Sequence, residues 1–201
     1  MGDWHSDKYS AVFFDDVGGA QEATSYLQSL GHRDIWYIGN CQRTWFARRC
    51  EGYRRAMEEA GLTPLIRDLN IDNTEDLGYL ATKSILSEAR PITAILAGDD
   101  TTARGAYRAL ADHGLNIPTD VSMIGVNDTI EASALIPPLT SVRVFTEQLG
   151  KQMAELLLKQ ISRLDVKPQV VTLPTRLIRR ESCRALMQIE PVALKEEAQT
   201  S

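Results

Sequence analysis

Two adjacent carboxylates, Asp99 and Asp100, close a short apolar run (Ile92, Ala94, Ile95, Leu96, Ala97) that stops at Gly98. Paired carboxylates of this kind can hold Mg²⁺ or serve phosphoryl transfer. They can also accept hydrogen bonds from a hydroxylated ligand, or cap the helix that follows. Polar groups close other apolar runs in the same way: Asp15 and Asp16, Asn40, residues 68–73, Asn127 and Asp128. If these runs are parallel neighbouring strands, their polar ends share one rim. Ligands of open parallel α/β sheets bind at such a rim, just beyond the carboxyl ends of the strands. Carboxylates accept from hydroxyls, amides donate and accept, and a guanidinium offers a planar fork of donors. One hydrogen bond adds only about 1 kcal/mol net, so several must converge to select a ligand.

A catalytic constellation is harder to assemble. No GxxxxGK[ST], GxGxxG or GxSxG motif occurs, and Gly18-Gly19 is an isolated pair. His5, His32 and His113 lie far apart, without ligand-like spacing to Cys41, Cys50 and Cys183. Neither a metal nor a cofactor is expected. His32 follows Gly31 and reads as a cation at a helix C-terminus. Three cysteines without CxxC spacing read as idle thiols in a reducing compartment. Arg48 and Arg49 fall in the first turns of a helix, where a cation opposes the helix dipole. They are either solvated or there for a partner at the rim.

The elements that would hold this rim follow from periodicity. Apolar strands are expected at 11–14, 34–39, 65–69, 92–97, 121–126, 140–144, 170–173 and 176–178. Amphipathic helices are expected at 21–30, 44–60, 74–87 (capped by Asn73 or Thr74), 100–113 and 146–164, with a short one at 130–135. Gly18 and Gly19 should break the first strand from its helix, and Gly31, Gly61 and Gly114 should end helices. Strand and helix alternate almost throughout, which specifies a parallel sheet with helices on both faces. Of 201 residues, 43% are hydrophobic, enough for a core. The net charge of -5 argues against a non-specific nucleic-acid surface. No apolar run is long enough to span a membrane and the first ten residues carry no signal-peptide core, so a cytoplasmic location is expected. Residues 1–10 read as irregular and 187–201 as a flexible tail.

Six stretches then resemble, in order and spacing, the effector-binding region of bacterial regulators of the lactose repressor/galactose repressor family. They are LGHRDIWYIGN (30–40), RRCEGYRRAMEEAGL (48–62), TAILAGDDTTARGAYRALADHGLNIPTDVSMIGVND (93–128), PPLTSVR (137–143), LGKQMAELLL (149–158) and LPTRLIRRES (173–182). The resemblance implies a periplasmic-binding-protein-like (type I) α/β fold in which two lobes clamp a sugar-like effector. The second lobe would be essentially complete, about 21–141 and 170–180. The first would be mostly absent, with remnants at 11–16 and 146–164. DNA would be reached only through an N-terminal domain that these residues do not include.

By position, the resemblance makes Arg49 the ligand-clamping arginine. Asp99 stands where the family often has a ligand-contacting Asn, and Asn127 where an Asp usually binds ligand hydroxyls. Asn73 and Thr146 fall where some members stack an aromatic on the ligand. Homodimerisation is expected around Leu135, Ile136 and the helix after Asp100, which carries Arg104. An apolar patch is expected on the helix at 146–164. A solute-binding protein of a transport system, or a Mg²⁺-dependent enzyme using Asp15, Asp16, Asp99 and Asp100, are the alternatives.

Overall fold

The computed structural model describes residues 9–88, 90–162 and 167–186. The expected irregular start at 1–8, the end of the last helix at 163–164 and the tail at 187–201 lie outside the described residues. In chain order the elements are β1 (Ala11–Phe14), α1 (Asp16–Ser29), β2 (Ile35–Gly39), α2 (Thr44–Glu59), β3 (Leu65–Asp68), α3 (Thr74–Leu86) and β4 (Ala94–Ala97). They continue with α4 (Asp100–Asp112), β5 (Ser122–Asn127), α5 (Ile130–Ala134), β6 (Thr140–Arg143), α6 (Thr146–Ser162), β7 (Val170–Leu173) and β8 (Arg176–Ile178).

Six strands form one sheet in the order β3-β2-β4-β5-β6-β8, parallel except for the antiparallel β6–β8 pair. The continuous apolar strands serve two cores at once. In β2, Ile35 and Tyr37 face the core under α1 and α2, with Leu27, Tyr53 and Met57. Trp36 and Ile38 face the opposite core under α3 and α4, with Leu77, Ile85 and Leu110. β4 divides likewise, Leu96 to one side and Ile95 to the other. Each such fully buried side chain contributes roughly 1.5–3 kcal/mol. Gly31, Gly61 and Gly114 take positive φ values just past α1, α2 and α4, as helix-ending glycines should.

Two elements and one residue depart from expectation. α1 begins at Asp16 rather than at 21, so Gly18 and Gly19 lie inside its first turn. Asp15 caps that turn by accepting from the Gly18 N–H at 2.9 Å, and a cap of this strength starts a helix despite two glycines. β7 pairs in parallel with β1 in a separate two-stranded sheet, while only β8 joins the six-stranded one. Residues 170–173 therefore sit with 11–14, not with the second-lobe strands as expected. Pro174, between β7 and β8, offers no N–H to either ladder and lets the chain change sheets. His32 is not a surface cation: it is buried, with Nε2 donating to the Arg184 carbonyl at 3.1 Å and Nδ1 facing the Thr93 hydroxyl at 3.1 Å. Burial lowers its pKa and keeps the ring neutral.

α6 carries the expected apolar patch. Of its residues only Leu156 is buried, while Met153, Leu157, Leu158 and Ile161 are exposed. Between α6 and β1 lies a cavity of about 300 Å³ bordered by Val12, Met153, Leu156 and Leu157. The three cysteines are free thiols.

Candidate functional site

The carboxyl ends of β2, β4 and β5 meet at one edge of the six-stranded sheet, and Arg49 reaches into that edge from α2. Arg49 is 5% exposed. Nε donates to Asp16 Oδ1 at 2.9 Å, Nη1 to the Gly98 carbonyl at 2.7 Å, and Nη2 to Asn127 Oδ1 at 3.1 Å. Each partner comes from a different element: the start of α1, the end of β4 and the end of β5. Arginine has five N–H donors, and these bonds engage three of them. The buried charge needs a counter-charge to be tolerated, and Asp16 supplies it. The sequence showed Asp16 as a rim carboxylate but not as the partner of Arg49; a buried arginine in want of a carboxylate is the signal that would have found it.

Asn127 is held for this work by its backbone. Its φ is 112° and that of Asp128 is 57°, both in a region that non-glycine residues rarely adopt. Strain of this kind persists where neighbours over-determine it. Here Asp128 is pinned by Arg143 and Arg180 at 2.5 and 2.6 Å, and its N–H donates to Ser141 Oγ at 3.0 Å. Arg49 and Asn127, expected to share a rim, are thus in direct contact.

The paired carboxylates serve different partners. Asp99 caps α4, accepting from the Thr102 N–H at 2.6 Å, and stays half-buried with one oxygen left over. Asp100 turns inward, accepting from Ser141 Oγ at 2.6 Å and the Thr129 N–H at 2.8 Å. Burial pushes its carboxyl up to about 6, against the pull of those two hydrogen bonds. Asp100 thereby ties the start of α4 to the turn after β5 and to β6. A shared Mg²⁺ would need the two carboxylates on one ligand, which this division of partners does not provide. Among the described residues no group of three or more His, Cys, Asp or Glu could hold a metal ion.

Among the described residues, no hydrogen bond joins Asn73 or Thr146 to the Arg49 cluster. Asn73 is exposed and caps α3, accepting from the N–H groups of Glu75 and Asp76. Thr146 is the exposed first residue of α6. Nearer the cluster, buried Asn40 donates to Asn70 Oδ1 at 3.2 Å. Arg48 lies 5.4 Å above the Phe13 ring and 3.9 Å from Asp16. On the opposite side of α4, Arg104 is tied to Glu75 at 2.5 Å, Leu135 is half-buried, and Ile136 is 92% exposed. A cavity of about 230 Å³ lies there, bordered by Asp100, Arg104, Glu131 and Leu135.

The arrangement is a preorganised set of donors and acceptors at the carboxyl edge of a parallel sheet. A family model described as a periplasmic binding protein-like domain matches residues 24–183. The chain belongs to that family. The curated relatives of this periplasmic-binding-protein-like chain include the HTH-type transcriptional regulator CelR of Thermobifida fusca, 34% identical over 88% of this chain and 52% of the relative. The chain spans about half the length of the curated relatives it matches. Among solved structures it is similar to the transcriptional regulator CelR–cellobiose complex, with a TM-score of 0.81 and 33% identity over 89% of this chain and 55% of that one. It is also similar to a LacI family transcriptional regulator from Enterococcus faecium with bound ribose, with a TM-score of 0.82 and 28% identity over 91% of this chain and 69% of that one. The family assignment bears out the expected fold class, and the relatives it brings are regulators. No helix among the described residues is long and apolar enough to cross a membrane.

Proposed function

We propose that this chain is the small-molecule effector-binding portion of a bacterial transcriptional regulator, and that its effector is a sugar or related polyol. The observation that carries the reading is Arg49, buried and fixed on three sides at the carboxyl edge of the sheet. Asn127 and the free oxygen of Asp99 flank it with groups suited to hydroxyls. Similarity to regulators solved with cellobiose and with ribose supports the sugar class. The chain is read as a binding module rather than an enzyme, acting in the cytoplasm. Its control of DNA runs through a separate DNA-binding segment of the complete regulator. The six-stranded unit forms one lobe of the clamp, and β1, β7 and α6 belong to the other. Homodimerisation through the face of α4 and α5 remains part of this reading, with exposed Ile136 as its apolar contact; Arg104 is engaged by Glu75 within the protomer.

A thermal-shift titration with cellobiose and with ribose tests the effector site. A ligand at 100 times its Kd adds about 2.7 kcal/mol to stability, so the melting temperature should rise with at least one sugar. Asn127→Ala should shrink the shift and Arg49→Ala should abolish it. A shift of undiminished size in Arg49→Ala would place the ligand elsewhere.

A further inference from the structure

We infer that Cys41 and Cys50 form an oxidisable dithiol, which a small hydroperoxide closes to an intrachain disulfide. The inference stands apart from the effector-site reading. Spacing along the chain carries no CxxC motif; the fold is what brings the two thiols together.

Cys41 follows Asn40 in the turn that leaves β2, and Cys50 lies in α2, which packs back on the same strand. Both belong to the core beneath α1 and α2, with Tyr37 and Tyr53. Their thiols hydrogen-bond each other. The Cys41 N–H donates to Asp68 Oδ1 at 2.8 Å, which pins its backbone to the end of β3. Exposed Arg54, one turn further along α2, hydrogen-bonds the Cys50 sulfur. Cys50 itself is buried, whereas Cys41 is half-buried and is the member of the pair that meets solvent.

This setting treats the two protons unequally. The hydrogen bond with Cys41, helped by the Arg54 guanidinium, brings the Cys50 thiol down to about 7 against the effect of burial. The same bond, together with burial, holds the Cys41 proton well above the usual thiol range. The pair therefore gives up one proton near neutral pH and shares the other. Transfer of the shared proton along the S–H···S bond presents the thiolate at Cys41. That thiolate attacks a hydroperoxide oxygen: an S–O bond forms, the O–O bond breaks, and the leaving alkoxide takes a proton from water. Sulfur is oxidised to a sulfenic acid and the peroxide is reduced to an alcohol, or to water for hydrogen peroxide. The Cys50 sulfur then attacks Cys41, forming the S–S bond and breaking the S–O bond. Hydroxide leaves and becomes water with the proton that Cys50 held. In sum, two thiols and one hydroperoxide give one disulfide, one alcohol and one water. Transient disulfides of this kind arise even where thiols are kept reduced. Cys183 is the internal contrast: its thiol donates to the Met123 carbonyl at 3.3 Å, and burial pushes it up to about 11.

The test treats the whole chain with hydrogen peroxide at pH 7, blocks the remaining thiols with N-ethylmaleimide and maps the peptides without reduction. Trypsin cuts after Arg33, Arg43, Arg49 and Arg54, so the disulfide is recovered as residues 34–43 joined to 50–54. That linked pair should form at least about tenfold faster than Cys183 is oxidised, as the larger thiolate fraction requires. Dithiothreitol should separate it, and Cys183→Ser should form it at the wild-type rate. Cys41 and Cys50 that oxidise no faster than Cys183 overturn the inference in the wild-type chain, without recourse to a variant. A disulfide that includes Cys183 or joins two chains overturns it too, as does oxidation of either cysteine to a sulfinic acid with no link formed.

Discussion

Arg49 and Asn127 could be picked out from residue type and position, but what holds them could not. Asp16, Gly98 and Asn127 converge on one guanidinium from sequence separations of 33, 49 and 78 residues, and no local pattern encodes such a meeting. Asp99 and Asp100 show the same limit. Their adjacency is visible in the chain, yet Asp99 spends an oxygen on the α4 cap and Asp100 is drawn into the gap between β5 and β6. That burial has a measurable consequence. The Asp100 pKa rises from 3.8 to about 6, so the folded protein holds this proton more tightly than the unfolded chain. Its contribution to stability is therefore full below pH 3.8 and lost as pH rises through 6, by roughly 3 kcal/mol over two units at 1.36 kcal/mol each. His32, with its pKa lowered by burial, acts in the opposite sense, losing stability as pH falls below 6.5. It does so equally in any variant of Asp100. Urea unfolding at pH 4 and pH 7 should thus show Asp100→Asn gaining on the wild type by about 2 kcal/mol at the higher pH. Parallel curves would mean that Asp100 ionises freely in the fold.

Among the elements, those with a strong period and a terminating glycine were readable almost to the residue. α2 and α4 are examples, and both end within a residue or two of the expected place. What could not be read is allegiance. β7 and β8 are both short and apolar, and their composition does not say that they belong to different sheets. The close packing of α3 on α4 was equally hidden. It depends on Gly78 and Gly105, where a Cβ would lie 1.9 Å from the Thr102 carbonyl oxygen and 2.0 Å from that of Glu75. The obstacle in each case is backbone, which cannot rotate away as a side chain can. Gly105→Ala should therefore force the helices apart and cost at least 1–3 kcal/mol, roughly the range for overpacking. Alanine's better helix propensity, worth about 1 kcal/mol, would not offset this. Guanidinium unfolding checks it: a midpoint equal to or above the wild type would show that the two helices have room to spare. Glu75, bound by Arg104 and Arg108 across this interface, gives a second reporter, since separating the helices lengthens both pairs.

At the scale of the molecule the chain forms two sheets of unequal size among the described residues. The six-stranded sheet is covered on both faces and carries nearly all of the fully buried side chains. The two-stranded sheet has α6 against it, but α6 buries only Leu156 along 17 residues and leaves Leu157, Leu158 and Ile161 in water. Opening free energy follows buried contact, so segments with few such contacts open locally long before the whole protein unfolds. Each backbone amide reports its own opening through hydrogen exchange. In native-state exchange, amides of β2, β4 and β5 should open only with global unfolding and track the denaturant dependence of the whole protein. Amides of α6, β1 and β7 should exchange faster, with little denaturant dependence, because few buried contacts resist their local opening. Asp15 and Asp16 mark the boundary, since β1 runs directly into the capped start of α1. Exchange of α6 as slow as that of β4 would show that its single buried leucine and its seat on β1 suffice to hold it. A fast α6 beside a slow sheet would mean that the edge bearing Arg49 and Asn127 is rigid on its own, whatever α6 does.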